Sequence, residues 1–202
     1  MEKSFFKDLV FETSDSVYAP REDSFLLAGV VEVEARGLVL DVGTGSGIQG
    51  ICAVLNKKVL RVIAVDVNPQ ALKDASKNAV KAGVASKIVF RESNLFSNVG
   101  EKFDCIVFNP PYLPTSSEEK VKGELNAALD GGVDGKKVLK DFLEEFPTYL
   151  KKNGFLLLLS SSVNDNEWVE RVLRNKKFET SVVARQKLFF EELIVFKASY
   201  SL

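Results

Sequence analysis

Apolar runs of strand length alternate along the chain with segments whose apolar residues recur every three or four positions. That alternation predicts βαβ units around a mostly parallel sheet, an α/β fold. The first clear strand is Leu38–Val42, followed by a glycine-rich turn and a helix over Gly47–Leu55 with Ile48, Ile51, Cys52 and Leu55 inward. A second strand, Leu60–Val65, closes on Asp66. The next helix is well punctuated. Asn68 suits its cap, Pro69 its first position and Gly83 its stop, and Leu72, Ala75, Ala79 and Ala82 keep helical spacing. A third strand is expected over Lys87–Arg91 and a fourth over Phe103–Phe108, stopping at Asn109-Pro110-Pro111-Tyr112.

The long stretch from Leu113 to about Gly135 reads as a functional loop. Beyond it come a helix over Lys136–Leu150 with Leu139, Phe142, Phe146 and Leu150 inward, and a strand over Gly154–Leu159. A helix from about Asn164 to Asn175 is expected to bury Trp168, Val172 and Leu173. The last two strands, Glu179–Ala184 and Leu188–Lys197, form an antiparallel pair, because their connection is too short for a crossover helix. Upstream of all this, the first twenty residues show little periodicity. A helix over Asp23–Val33 follows them, with Phe25, Leu26, Val30 and Val33 on one face.

Composition narrows the chemistry. A chain of 202 residues without linker or repeat suits one domain, with residues 1–35 as an N-terminal extension and helix over the ligand site. The formal net charge of −1 gives no global attraction to nucleic acid or an anionic membrane. No leader-like or membrane-length apolar run is present, so the expected compartment is the cytoplasm. The chain has no histidine, which excludes a histidine base, a histidine-ligated metal and a Ser-His-Asp triad. Cys52 and Cys105 read as buried free thiols, too few for a structural zinc site, so no metal is expected.

Three motifs fall at strand ends, where open α/β sheets bind ligands. In Asp41-Val42-Gly43-Thr44-Gly45-Ser46-Gly47, alternate glycines let a backbone approach a ligand closely. The leading acid suits a ligand carrying an amino group or sulfonium and would repel a pyrophosphate. Gly45-Ser46-Gly47-Ile48-Gln49-Gly50 also fits the dinucleotide pattern G-x-G-x-x-G, but Gly43 already occupies the turn after the strand, so the match is a decoy. Asp66, beside Val67, can accept hydrogen bonds from both ribose hydroxyls of an adenosine ligand, and Asn94-Leu95 can meet its base. Asn109-Pro110-Pro111-Tyr112 is the most specific motif. Its prolines fix an extended backbone and remove two N–H donors. What remains is a pair of acceptors, the Asn109 side-chain oxygen and the Pro110 carbonyl, one for each hydrogen of a target NH₂. Tyr112 can stack on a planar target. Such a grip turns the delocalised lone pair of an amide or aromatic amine toward an electrophilic methyl without a strong base.

On these motifs the chain resembles the HemK-type protein-glutamine methyltransferases, in their short archaeal and eukaryotic branch. Val17-Tyr18-Ala19-Pro20-Arg21-Glu22-Asp23-Ser24-Phe25-Leu26-Leu27, the Asp41–Gly47 turn, Asp66-Val67-Asn68-Pro69, Asn109–Tyr112 and Asp130-Gly131-Gly132-Val133-Asp134-Gly135 match in order. The resemblance implies a class I Rossmann-like, S-adenosylmethionine-dependent methyltransferase fold. That fold has seven strands in the order 3-2-1-4-5-7-6 and helices on both faces. It implies a methyl-donor site of Tyr18, Ser24, Asp41, Gly43, Gly45, Asp66, Val67, Asn94, Leu95 and Asn109. The glutamine amide would lie against Asn109, Pro110, Pro111, Tyr112 and Leu113, with Asn109, Pro110 and Tyr112 as catalytic residues. Ser24, Asp41 and Asn94 stand where the family commonly has Thr, Glu and Asp, and each keeps the needed hydroxyl or acceptor. The implied substrate is the glutamine of the GGQ loop of a class 1 peptide release factor. The implied partner is a small zinc-binding activator subunit. Ile88, Val89 and Phe90 are apolar for an edge strand, so the activator is expected to dock near the third strand.

Other readings fit parts of the pattern. A nucleic-acid amino-methyltransferase would share the Asn-Pro-Pro-Tyr chemistry, but the charge balance and the lack of any basic run longer than Lys57-Lys58 or Lys151-Lys152 oppose it. A scaffold without activity conflicts with the intact Asn109–Tyr112 motif, and a nicotinamide oxidoreductase rests on the decoy glycines alone.

Overall fold

Side chains alternate across a strand, so a run that is apolar at every position must be covered on both faces. The computed structural model, which describes residues 1–112 and 136–201, has that arrangement. A seven-stranded sheet is built from β3 (Gly37–Val42), β4 (Val59–Asp66), β5 (Ile88–Glu92), β6 (Phe103–Phe108), β7 (Leu150–Ser161), β8 (Phe178–Lys187) and β9 (Glu192–Tyr200). Their spatial order is β5-β4-β3-β6-β7-β9-β8, the expected class I order. The five strands from β5 to β7 run parallel, and β9 is antiparallel to both of its neighbours.

On one face Val39, Cys105, Val107, Phe155, Leu157 and Leu159 meet α1 (Glu22–Glu34), α2 (Ile48–Leu55) and α3 (Pro69–Lys81). On the other, Leu40, Val42, Ile106, Phe108, Leu156 and Leu158 meet α4 (Lys137–Tyr149) and α5 (Asn166–Asn175). Phe96, Phe142 and Phe146 dominate this second layer through stacked rings. Cys52 and Cys105 are buried and free. No helix among the described residues is long and apolar enough to cross a membrane.

The structure corrects several expectations. The aperiodic start is a hairpin, β1 (Glu2–Phe6) with β2 (Leu9–Thr13). It is tied to α3 by polar bonds: Glu12 N donates to Asn78 Oδ1 at 3.0 Å and Ser14 N to Asp74 Oδ2 at 2.8 Å. Helix α1 buries Asp23, Ser24, Leu27, Ala28 and Val31, while Val33 points to solvent. Two polar residues share the buried face because they meet the strand tips described below. Leu55 ends α2 exposed, beyond the edge of the core. Leu150 opens β7 rather than closing α4. In α5 the deepest residues are Val169 and Leu173, and Trp168 and Val172 are only half buried. The long loop expected from Leu113, with Asp130-Gly131-Gly132, lies outside the described residues.

Candidate active site at the strand tips

Parallel register sets the site. Val42 pairs with Val65 on one side and Phe108 on the other, so Gly43, Asp66 and Asn109 leave three adjacent strands at one level. Asp66 pairs in turn with Glu92, which brings Ser93-Asn94-Leu95 to the same end of the sheet.

The turn after β3 uses left-handed backbone at Gly43, Gly45 and Gly47, with φ of 62°, 53° and 86°. Gly47 is also sterically required, since a Cβ there would stand 2.9 Å from the Ala75 Cβ of α3. Gly45 is open above, its nearest outside atom being the Gly43 carbonyl at 3.9 Å from a Cβ position. Gly45 N donates to Asp66 Oδ2 and Asn68 N to Asp66 Oδ1, each at 2.9 Å. Both carboxylate oxygens are thus aimed, and each keeps capacity for a second donor. Burial raises the Asp66 pKa above the usual carboxylate range against the pull of these amides. Val67, just after it, is half exposed.

Asp41 lies beneath the turn and is fully buried. Its Oδ2 accepts from Thr44 Oγ1 at 2.6 Å and Gly50 N at 3.0 Å. Its Oδ1 is buried without a partner among the described residues. Burial pushes this carboxyl up to about 7, against the pull of Thr44 and Gly50. A cationic group held against such an oxygen would restore the charged form.

The N-terminal segment crosses the tips from the other side. Asn109 Nδ2 donates to Asp23 Oδ2 at 2.9 Å and approaches Ser24 Oγ at 3.4 Å. Tyr18 OH and Ser24 Oγ donate to Asp23 Oδ1 at 3.2 and 3.3 Å. Gln49 Nε2 donates to the Ser24 carbonyl at 3.0 Å. With its nitrogen so engaged, Asn109 leaves Oδ1 buried and without a partner among the described residues. Pro110 is buried, and Pro111 and Tyr112 are half buried. Burial, followed by the Asp23 carboxylate, pushes the hydroxyls of Tyr18 and Tyr112 upward, so both are neutral donors at physiological pH.

The structure therefore brings together Tyr18, Ser24, Asp41, Gly43, Gly45, Asp66, Asn109 and Pro110. Asn94 and Leu95 sit one strand further out, with Asn94 exposed. Leu95 is one of the few non-glycine residues with positive φ, 48°, and the Ser93 hydroxyl donates to its carbonyl at 2.9 Å. Leu113 lies outside the described residues. Sequence reasoning missed Asp23, which looked like an ordinary acid in a first helical turn. The available signal was spacing: Asp23, Leu27 and Val31 recur every four positions, which puts the carboxylate on the helix face that Leu27 and Val31 bury.

Comparison with known proteins now decides the family. The methyltransferase small domain family matches residues 11–190. A Methanocaldococcus jannaschii protein named as a protein N5-glutamine methyltransferase is 45% identical over 183 residues, covering 90% of this chain and 91% of the relative. The chain belongs to this family of methyltransferases. The human methyltransferase HEMK2 is 30% identical over 196 residues, covering 92% of this chain and 90% of its own length. In solved structures, the E. cuniculi Mtq2–Trm112 complex, described as methylating the termination factor eRF1, matches with a TM-score of 0.69 and 25% identity. That match covers 92% of this chain and 99% of the other. A family defined by methyl transfer needs two adjoining subsites, one for a methyl donor and one for the accepting nitrogen, and the strand tips provide two groups of polar residues side by side.

Proposed function

We propose that this chain transfers a methyl group from S-adenosylmethionine to the side-chain amide nitrogen of a glutamine, in the GGQ loop of a class 1 peptide release factor. One observation carries the reading. Asn109 donates through Nδ2 to Asp23 and Ser24 and, among the described residues, keeps a buried acceptor oxygen without a partner at the tip of β6.

S-adenosylmethionine, when bound, supplies an electrophilic methyl on a sulfonium sulfur. The residues present fit it. Asp41 has a carboxylate oxygen without a partner among the described residues for a cationic group, Asp66 has two oriented oxygens for vicinal hydroxyls, and Gly45 leaves room above the turn. Tyr18, Ser24, Val67, Asn94 and Leu95 complete this subsite. Residues 1–35 belong to the same single domain and serve as its cover.

The target carboxamide is gripped by two acceptors, Asn109 Oδ1 and the Pro110 carbonyl, with Pro111, Tyr112 and Leu113 beside it. Holding both N–H bonds directs the nitrogen lone pair at the methyl. As the new C–N bond forms, positive charge on nitrogen strengthens both hydrogen bonds, until one proton is lost to water. Tyr112, neutral and packed against the first core layer, offers a flat wall.

The rim favours a polypeptide over a nucleic acid. Phe189 and Phe190 are 92% and 91% exposed on the β8–β9 turn. The next residue, Glu191, accepts from Ser161 at the end of β7, and its charge acts on Tyr112. An exposed aromatic pair of this kind suits an apolar protein surface rather than a phosphate backbone. In a labelled-methyl assay, label should enter a release factor and be lost when its GGQ glutamine is replaced. Label in DNA or RNA instead of protein would overturn the reading.

The activator is proposed to dock on β5. Among the described residues this strand pairs only with β4, and its edge carries the half-buried, apolar Val89 and Phe90. Val89→Lys is expected to reduce co-purification of a small zinc-binding activator at least severalfold. Unchanged association removes that site. Cytoplasmic residence follows from a release factor as substrate.

A further inference from the structure

We infer that Asp23 is a positioning residue for the methyl transfer, holding Asn109 with its oxygen toward the substrate and increasing the negative charge on that oxygen. The inference rests on the reading of Asn109 as the amide acceptor.

A carboxamide has two ends of nearly equal size. Rotating Asn109 by 180° about its terminal bond exchanges oxygen for NH₂ at little steric cost. In the flipped state two donors would face each other, Asn109 Nδ2 and the target NH₂, and the substrate would lose its acceptor. Something must select the productive orientation before substrate arrives. Asp23 does so chemically, because a carboxylate accepts and cannot donate. Its Oδ2 stands 2.9 Å from Asn109 Nδ2, the shortest of the bonds to this carboxylate.

The placement of Asp23 argues against a purely structural part. It is buried on the inner face of α1, where an aliphatic residue would pack without desolvation cost. Among the described residues its donors are Tyr18 OH, Ser24 Oγ and Asn109 Nδ2, all neutral. These hydrogen bonds hold the carboxylate without neutralising it, and it polarises the groups that hold it. Donation from Nδ2–H to an anion shifts electron density in the amide toward Oδ1. That oxygen is the one left buried and without a partner among the described residues. Its acceptor strength matters most when charge develops on the substrate nitrogen, so the effect belongs to kcat rather than to binding.

Exchanging the two partners tests this directly. Asn109→Asp sets two carboxylates against each other and should lower kcat about 10²–10³-fold. The near-isosteric Asp23→Asn keeps an oxygen but loses the charge and the enforced orientation, and should lower kcat about 10–10²-fold. Its KM for the release factor and its Kd for S-adenosylmethionine should stay within about twofold. In Asp23→Asn/Asn109→Asp the donor and the acceptor trade places. The amide introduced on α1 does not have to be an anion there, because the carboxylate at position 109 now carries the charge. The double variant should recover to at least about tenfold above Asn109→Asp alone. A purely structural bond would also be restored by the exchange, but it predicts that Asp23→Asn lowers the melting temperature while kcat below that temperature stays near the wild-type value. A double variant no better than Asn109→Asp, or Asp23→Asn with wild-type kcat, overturns the inference. If the double variant melts below the assay temperature, the kcat of Asp23→Asn decides alone. Asn109→Ala run beside them separates the two readings. If it keeps turnover, the amide site itself is wrong; if it loses turnover while the exchange fails, only the part given to Asp23 falls.

Discussion

Asn109→Ala is expected to lower methyl transfer about 10²–10³-fold or abolish it, while methyl-donor affinity falls less than about tenfold. The asymmetry follows from what the side chain touches. Its nitrogen is bonded to Asp23 and its oxygen has no partner among the described residues. The proposed donor subsite draws mainly on Asp41, Asp66 and the glycine turn, one and two strands away. On the proposed reading, loss of Oδ1 removes one of two acceptors for the target NH₂ and frees the nitrogen lone pair from its aim. Interactions made in the transition state alone appear in kcat. Truncation also leaves Asp23 Oδ2 without its 2.9 Å donor, so a stability loss of about 1–3 kcal/mol should accompany the change. Single-turnover transfer, calorimetric donor binding and thermal melting separate these effects. Turnover near that of the wild type would refute the assigned role.

Asp41→Asn is expected to change the pH dependence of stability and of donor binding together. Burial pushes the Asp41 carboxyl up to about 7, whereas in the unfolded chain it titrates near its ordinary value. Because the folded pKa is the higher one, the folded state retains a proton that the unfolded chain gives up. The wild-type protein without donor is therefore most stable below about pH 4 with respect to this group, loses stability as pH rises to about 7, and changes little above that. The span corresponds to about 4 kcal/mol at full value, or about 8–16 °C in melting temperature for a chain of this size. An asparagine does not titrate, so the melting temperature of Asp41→Asn should gain on the wild type between those pH values and run parallel beyond them. A cationic donor reverses the cost. S-adenosylmethionine should raise the wild-type melting temperature more at pH 8 than at pH 5.5, with a smaller difference in the variant. Melting curves that stay parallel from pH 4 to 8 would show that Asp41 does not carry this charge.

Both predictions depend on features that were visible to different degrees along the chain. The strands of the sheet and the helices between them were legible, because period-two and helical spacings are set by residues a few positions apart. Asn68 capping α3 through Gln70 N at 2.8 Å, with Pro69 behind it, was equally local. Element ends were less so. Leu150 looked like the last inward residue of a helix, but its partner is Phe103 on the neighbouring strand, and pairing made it part of β7. The N-terminal hairpin left almost no pattern. Its strands are five residues each, and it is held by Asp74 and Asn78 on a helix some sixty residues away.

The sequence by itself determined the α/β class, the strand succession and the residues standing at each carboxyl tip, from Asp41 and the glycine turn through Asp66 to Asn109. Turn chemistry and hydrophobic period are properties of neighbours in the chain. Only the tertiary structure decided that α1 turns Asp23 and Ser24 inward, and that the Asn109 amide closes on Asp23 across 86 positions. A buried polar group is tolerable only beside its partner, and which partner it meets depends on how helix and sheet dock.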